Sequence, residues 1–165
     1  MDWTKRSKPA EIKRKPWLAD KAIEYFESLL TPDTVVVEFG GGGSSLWLAD
    51  RVKQVYTVEK DLDWVAVIRK NAPENVMLCT VLKLIELADI LFIDGEPVEE
   101  RAWWLDNARL YVKSGGIVVL DNANRPEYAG ARAEFAKDAE LLHTVTTQGG
   151  KYFVTEFWRI KIPAD

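Results

Sequence analysis

Leu18, Ala22, Tyr25, Phe26 and Leu29 recur at three- and four-residue steps, so residues 17–30 predict an amphipathic helix that Thr31-Pro32-Asp33 ends. Val35-Val36-Val37-Glu38-Phe39 is short, β-branched and apolar, and it runs directly into Gly40-Gly41-Gly42-Gly43. Ser44 and Ser45 then open a second helix through about Val52, and Gln54 to Val58 is the next strand. Asp61 to Asn71 predicts a helix stopped by Pro73, followed by strands over Val76–Val81 and Asp89–Ile93. A helix is expected from Pro97 to Val112, since proline is tolerated in a first turn. Ser114-Gly115-Gly116 reads as a turn before the buried strand Ile117–Leu120, and residues 126–139 as a further helix. Strands over Glu140–Thr147 and Tyr152–Ile160 close the chain. The four residues between them, Gln148 to Lys151, are too few for a crossover, so this last pair must be antiparallel.

Strands alternating with helices predict a three-layer α/β domain, with helices on both faces of a mostly parallel seven-stranded sheet. In open sheets of this kind ligands bind beyond the carboxyl ends of the strands. Those ends carry Glu38 to Ser45, Glu59-Lys60, Val81, Asp94-Gly95 and Asp121-Asn122, which become the candidate site.

Composition narrows the class. A 47% hydrophobic share over 165 residues supports one ordinary domain, and the net charge of −4 argues against a basic surface spanning the molecule. The charge is uneven: residues 1–17 hold six basic residues against two acidic ones. The expected division is therefore a basic arm over 1–16 and a single domain over 17–165. Cys79 is the only cysteine, which excludes an internal disulfide and a cysteine zinc cluster. The basic N-terminus lacks the apolar stretch of a secretory signal, and no apolar run approaches the roughly 20 residues of a membrane span. The expectation is a soluble, cytoplasmic protein with no membrane partner.

Four glycines between a strand and a helix allow positive φ and close ligand approach. The following helix offers unpaired N–H groups to something polar or anionic. No lysine follows the glycines, so the loop is not a triphosphate-binding one. The dinucleotide pattern is met at Gly40 and Gly42 but broken at Ser45. Glu38, two residues earlier, would repel a pyrophosphate and attract a cation, which disfavours an NAD-dependent oxidoreductase. Glu59 ends the second strand 19 residues after Gly40, where an acid can accept both ribose hydroxyls. The pattern Glu38-x-Gly40-x-Gly42-x-Ser44 suits S-adenosylmethionine (SAM), which carries an ammonium, a sulfonium and one carboxylate.

Residues 35–47 resemble the first motif of the class I SAM-dependent methyltransferases, in the variant where serines replace the last glycine and an aromatic follows. Val55-Tyr56-Thr57-Val58-Glu59 resembles the ribose-binding strand of that family, and the resemblance extends from about Trp17 to Ile160. It implies SAM as cofactor and a cofactor set of Glu38, Gly40, Gly41, Gly42, Ser44, Ser45, Glu59 and Lys60. Within that set, Gly40 and Gly42 line the methionine part, Ser44 or Ser45 bonds its carboxylate, Glu59 takes the ribose and Lys60 flanks the adenine. Many members have a longer segment between the third and fourth strands than Thr80–Ala88.

At the chemical end, Asp94 and Asp121-Asn122 resemble the magnesium ligands of the catechol-type O-methyltransferases. Asp and Asn oxygens suit Mg²⁺. That subgroup has a lysine three residues beyond the first Asp, and Pro97 stands there in this chain. The expectation therefore leans to Asp94 as a base or orienting acceptor, with Asp121 beside it as second catalytic acid or helix cap, rather than to a metal on Asp94, Asp121 and Asn122. His143 is expected to pack, and Trp47, Trp64, Trp103 and Trp104 to lie in the core, whereas Trp3, Trp17 and Tyr128 are the candidates for an acceptor pocket. The leading reading is methyl transfer to a small molecule, with a hydroxyl among the acceptors. The alternatives are a nucleic-acid or protein methyltransferase using the basic arm, and a non-catalytic SAM- or nucleotide-binding module; a homo-oligomer is compatible with each.

Overall fold

The computed structural model describes residues 12–79, 87–147 and 153–163. Seven strands form one sheet: β1 Val35–Phe39, β2 Gln54–Val58, β3 Val76–Cys79, β4 Ala88–Ile93, β5 Val112–Leu120, β6 Ala139–Thr147 and β7 Phe153–Ile160. Their spatial order is β3-β2-β1-β4-β5-β7-β6. The first five run parallel, while β7 is antiparallel to both β5 and β6. The chain winds outward from β1 to β3, returns, and winds the other way through β4 and β5. The order therefore reverses between β1 and β4, which opens a crevice at their carboxyl ends. All five residues of β1 are buried, which is why four of them are apolar without alternation; the other is Glu38.

Among the described residues five helices cover the sheet: α1 Asp20–Ser28, α2 Gly43–Ala49, α3 Leu62–Asn71, α4 Glu99–Asp106 and α5 Ala129–Phe135. Ala22, Ile23 and Phe26 of α1 pack with Trp47 and Leu48 of α2 over Val36, Phe92 and Phe157. The opposite face is closed by Trp104 and Leu105 of α4, with Phe39, Leu91, Tyr128 and Trp158. Helix α3 joins α2 through Ile68 and Leu46, and Ile12 packs into the same cluster.

Several boundaries differ from the sequence reading. Helix α1 starts at Asp20, because Ala19 is extended and Trp17 and Leu18 lie along the cleft. The helix expected over 97–112 is only Glu99–Asp106. A 3-10 turn follows at Ala108–Leu110, and Val112 already belongs to the sheet. Ser114-Gly115-Gly116 is a bulge within β5 rather than a turn before it. Gly115 has φ +79°, and the pairing with β4 jumps from Ala88–Val112 to Ile90–Ile117. The helix expected over 126–139 is a 3-10 turn at Pro126–Tyr128 followed by α5. The end of the expected third strand (Thr80, Val81) and the hairpin tip (148–152) lie outside the described residues, as do Trp3 and the first part of the basic arm. Residues 12–16 of that arm pack on the domain: Ile12 is buried, and Arg14 pairs with Asp50 at 2.6 Å. Among the described residues no helix is long and apolar enough to cross a membrane.

Candidate functional site

A cleft of about 880 Å³ opens at the carboxyl ends of β1, β2, β4 and β5. Its cofactor-side wall is the glycine loop. Gly40 has φ +93°, and a Cβ there would lie 2.5 Å from the Gly95 nitrogen and nearer still to its Cα, so only glycine lets the loops after β1 and β4 touch. A Cβ on Gly42 would meet nothing closer than Trp64 at 3.9 Å, so this residue faces the open cleft. Gly43 does not. A Cβ there would collide with the Lys13 carbonyl and lie 2.7 Å from that of Lys15, so the N-terminal strap rests directly on the first residue of α2.

Under the loop, Glu38 is fully buried on β1. Its Oε2 accepts hydrogen bonds from Ser45 Oγ (2.6 Å) and Thr57 Oγ1 (2.9 Å), and Ser45 Oγ in turn accepts from the Gly42 amide at 3.1 Å. Its Oε1 has no partner. Burial pushes the carboxyl up to about 7, against the pull of the Ser44, Ser45 and Thr57 hydroxyls; Ser44 lies close enough to act on the carboxyl although no hydrogen bond reaches Oε1. A buried oxygen left unpaired is costly, and a cationic or N–H-bearing ligand would relieve it.

Glu59, at the end of β2, lines the cleft. Its Oε2 accepts from the Gly41 amide (2.9 Å) and its Oε1 from the Asp61 amide (2.7 Å), so the carboxylate is held rigidly with a lone pair left on each oxygen. Burial raises its pKa as well. Ser44 lines the cleft. Three members of the expected set stand elsewhere: Glu38 lies beneath the loop and is not among the residues lining the cleft. Ser45 is fully buried with its hydroxyl spent on Glu38, so it supports the loop instead of facing a ligand. Lys60 pairs with Glu100 on α4 and is not among the residues lining the cleft.

The other end of the cleft is acidic. Asp94 sits at its floor with 23% of its side chain exposed, beside Asp121 at the end of β5. Loss of water pushes Asp94 well above the usual carboxylate range and the neighbouring Asp121 charge pushes further, while Arg101 pulls it down. Asp121 is raised by burial too, opposed by the Thr155 hydroxyl (2.7 Å from Oδ1) and by Arg101. The two neighbouring acids are thus both raised by burial, and they titrate as a pair.

Arg101, which sequence reasoning missed, underpins both acids. It is 2% exposed; its Nε donates to Gly95 O (2.9 Å), Nη1 to Asp121 O (2.8 Å) and Nη2 to Asp94 O (2.8 Å). One guanidinium thereby joins the ends of β4 and β5. Its spacing to Trp104 and Leu105, at i+3 and i+4 on the buried side of α4, was the available signal.

Mg²⁺ does not suit this arrangement. Asn122 turns its amide nitrogen, not its oxygen, to Asp121 Oδ2 at 2.8 Å, and Arg101 Nη2, 3.3 Å from Asp94 Oδ1, already supplies the positive charge. Among the described residues no group of three or more His, Cys, Asp or Glu side chains could hold a metal.

Of the aromatic residues, Trp17 lines the cleft as expected, and so does Trp64, against expectation; their rings meet edge-on at 6.0 Å. Tyr128 is a buried strut bonded to the Asp121 and Asn122 carbonyls, not a pocket wall. Trp47 and Trp104 are core, Trp103 is half-exposed, and His143 packs against Tyr25 with ring centroids 4.2 Å apart and planes tilted by 35°.

No protein-family model matches the sequence, and no curated protein matches it. Solved structures do match. The N-methyltransferase NodS from Bradyrhizobium japonicum WM9 superposes with a TM-score of 0.68 at 12% identity, over 86% of this chain and 93% of that one. NodS has also been solved with S-adenosylhomocysteine (SAH). Precorrin 8w decarboxylase from Methanobacterium thermoautotrophicum gives 0.64 at 18% identity, over 88% and 92%. The tRNA (m1A58) methyltransferase TrmI from Aquifex aeolicus gives 0.65 at 17%, over 92% and 72%. The chain has the Rossmann-like methyltransferase fold. At these identities the likeness speaks for architecture, and the acceptor must be argued from the cleft itself.

Proposed function

We propose that this protein is a SAM-dependent methyltransferase acting on a small-molecule acceptor. The observation that carries this reading is the unpartnered, fully buried Oε1 of Glu38 beneath a glycine loop whose other acid is Glu59. A pyrophosphate would meet the Glu59 carboxylate with Glu38 buried beneath the loop, whereas SAM offers an ammonium toward Glu38 and ribose hydroxyls for Glu59. The SAH bound to NodS, on the same fold, is consistent with that assignment.

The acceptor end favours a small molecule over nucleic acid. Glu59, Asp61, Asp94, Glu96 and Asp121 line the cleft against Lys15, Arg101 and Arg125, and Arg101 is committed to backbone carbonyls. Such a lining repels a phosphodiester. A cleft of this volume lies within the range of about 300–1,000 Å³ typical of small-molecule pockets.

The cofactor supplies a methyl group activated on a sulfonium. The chain aligns the acceptor's lone pair with that carbon and removes a proton. As the new bond to the acceptor oxygen or nitrogen forms and the carbon–sulfur bond breaks, the Asp94–Asp121 pair takes the acceptor's proton, with Arg101 holding the two acids at adjacent strand ends. No step in this reading uses a metal. Tritium transfer from methyl-labelled SAM, screened over small hydroxyl and amine acceptors and over bulk tRNA, tests it. Label should appear in a small molecule; transfer to tRNA alone would assign the acceptor to nucleic acid.

A further inference from the structure

The geometry points to Lys15 as the residue that receives the carboxylate of the cofactor, an inference that rests on the SAM reading above. Among the described residues three cationic side chains line the cleft: Lys15, Arg101 and Arg125. Arg101 is consumed by the carbonyls of Asp94, Gly95 and Asp121. Arg125 lies beyond the end of β5, with Glu96 at 3.9 Å. Only Lys15 stands at the glycine-loop end, on a strap whose carbonyls touch Gly43.

Three polar groups of the loop are engaged within it, while Ser44 stays in the cleft lining near Lys15. The Gly41 amide donates to Glu59, the Gly42 amide to Ser45, and the Ser45 hydroxyl to Glu38. Helix α2 is seven residues long and has two strap carbonyls against its first residue, so it offers no anion site of its own. A carboxylate entering here needs a positive group. The Lys15 ammonium now pairs with Asp20 Oδ1 at 2.7 Å, and the two side chains are 57% and 80% exposed. An exposed pair of this kind is weak, so the ammonium is easily redirected.

Its backbone, by contrast, is fixed. Ile12 is buried against Leu46 and Ile68, Arg14 is tied to Asp50, and the Lys15 amide bonds the Lys13 carbonyl at 2.9 Å. The amino-acid end of the cofactor is then held as a zwitterion, ammonium toward Glu38 and carboxylate toward Lys15.

Calorimetry with SAM and with decarboxylated SAM isolates this contact, because the second ligand keeps the adenosine, sulfonium and amine and lacks only the carboxylate. Lys15→Met should weaken SAM binding roughly fivefold and leave decarboxylated SAM unchanged, while Lys15→Arg restores most of the SAM affinity. An equal loss for both ligands, or no loss for either, overturns the assignment. Thermal melting of each variant guards against a misfolded strap, and the exposed Lys15→Arg variant keeps the test usable if Lys15→Met unfolds. A wild-type protein that binds decarboxylated SAM but not SAM refutes the role of Lys15 alone; one that binds neither refutes the cofactor reading itself, and this inference with it.

Discussion

Replacing Glu38 by glutamine separates two things its carboxylate does. The glutamine carbonyl can keep the hydrogen bonds from Ser45 and Thr57, and its amide takes the place of the unpartnered Oε1. In the folded protein the carboxyl is pushed from its ordinary 4.5 up to about 7 by burial. The folded state therefore holds this proton more tightly than the unfolded chain does. The resulting stability is fully present below about 4.5 and is lost as pH rises through about 7. At ~1.4 kcal/mol per pH unit, the whole change is roughly 3 kcal/mol. Glu59, Asp94 and Asp121, all raised by burial, add losses of the same sign. Urea denaturation without ligand should show the wild type losing more stability between pH 5 and pH 8 than Glu38→Gln, by most of that 3 kcal/mol. The same variant should bind SAM more weakly by about 1.5–3 kcal/mol, the value of a charge-assisted hydrogen bond. If the two proteins share one stability–pH slope, Glu38 is not the titrating group. If they share one SAM affinity, its Oε1 does not face the ligand.

Other substitutions probe the remaining parts. Glu59→Ala should lower SAM affinity by about 1.5–3 kcal/mol in calorimetry, with a lower melting temperature because the Gly41 and Asp61 amides lose their acceptor. Arg101→Met leaves three carbonyls without their donor, so at ~1–3 kcal/mol each a loss above ~3 kcal/mol is expected in chemical denaturation; Arg101→Lys, lacking the fork, should recover only part of it. Gly43→Ala should destabilise by more than ~1 kcal/mol by driving the strap off α2. Gly130→Ala, in α5 with open space at its Cβ, should stabilise by about 0.5–1 kcal/mol in the same assay.

The central architecture was legible because its signals are local. A continuous apolar strand running into four glycines marks the crevice, and the short link between the last two strands dictates their antiparallel pairing. What escaped depends on distant partners. Lys60 reaches Glu100, forty positions away, and nothing around Lys60 announces it. Arg101 went unmarked, since a helix pattern cannot say that three strand-end carbonyls wait on its buried side. Ile12 stands between Glu11 and Lys13 in a charged arm, without a period that would predict its burial. Ser114-Gly115-Gly116 carries glycines that serve a turn and a bulge equally well, and only the pairing with β4 decides between them. The acids Asp94 and Asp121 were found by position, but that they are held together by an arginine followed only from the fold.

The most direct test of the account is a calorimetric titration of the full chain with SAH and, in parallel, with NAD. The glycine loop, Glu38 and Glu59 predict saturable one-to-one binding of SAH and no measurable heat with NAD. Binding of NAD in preference to SAH, or of neither, would contradict the placement of an adenosyl sulfonium cofactor over these two carboxylates.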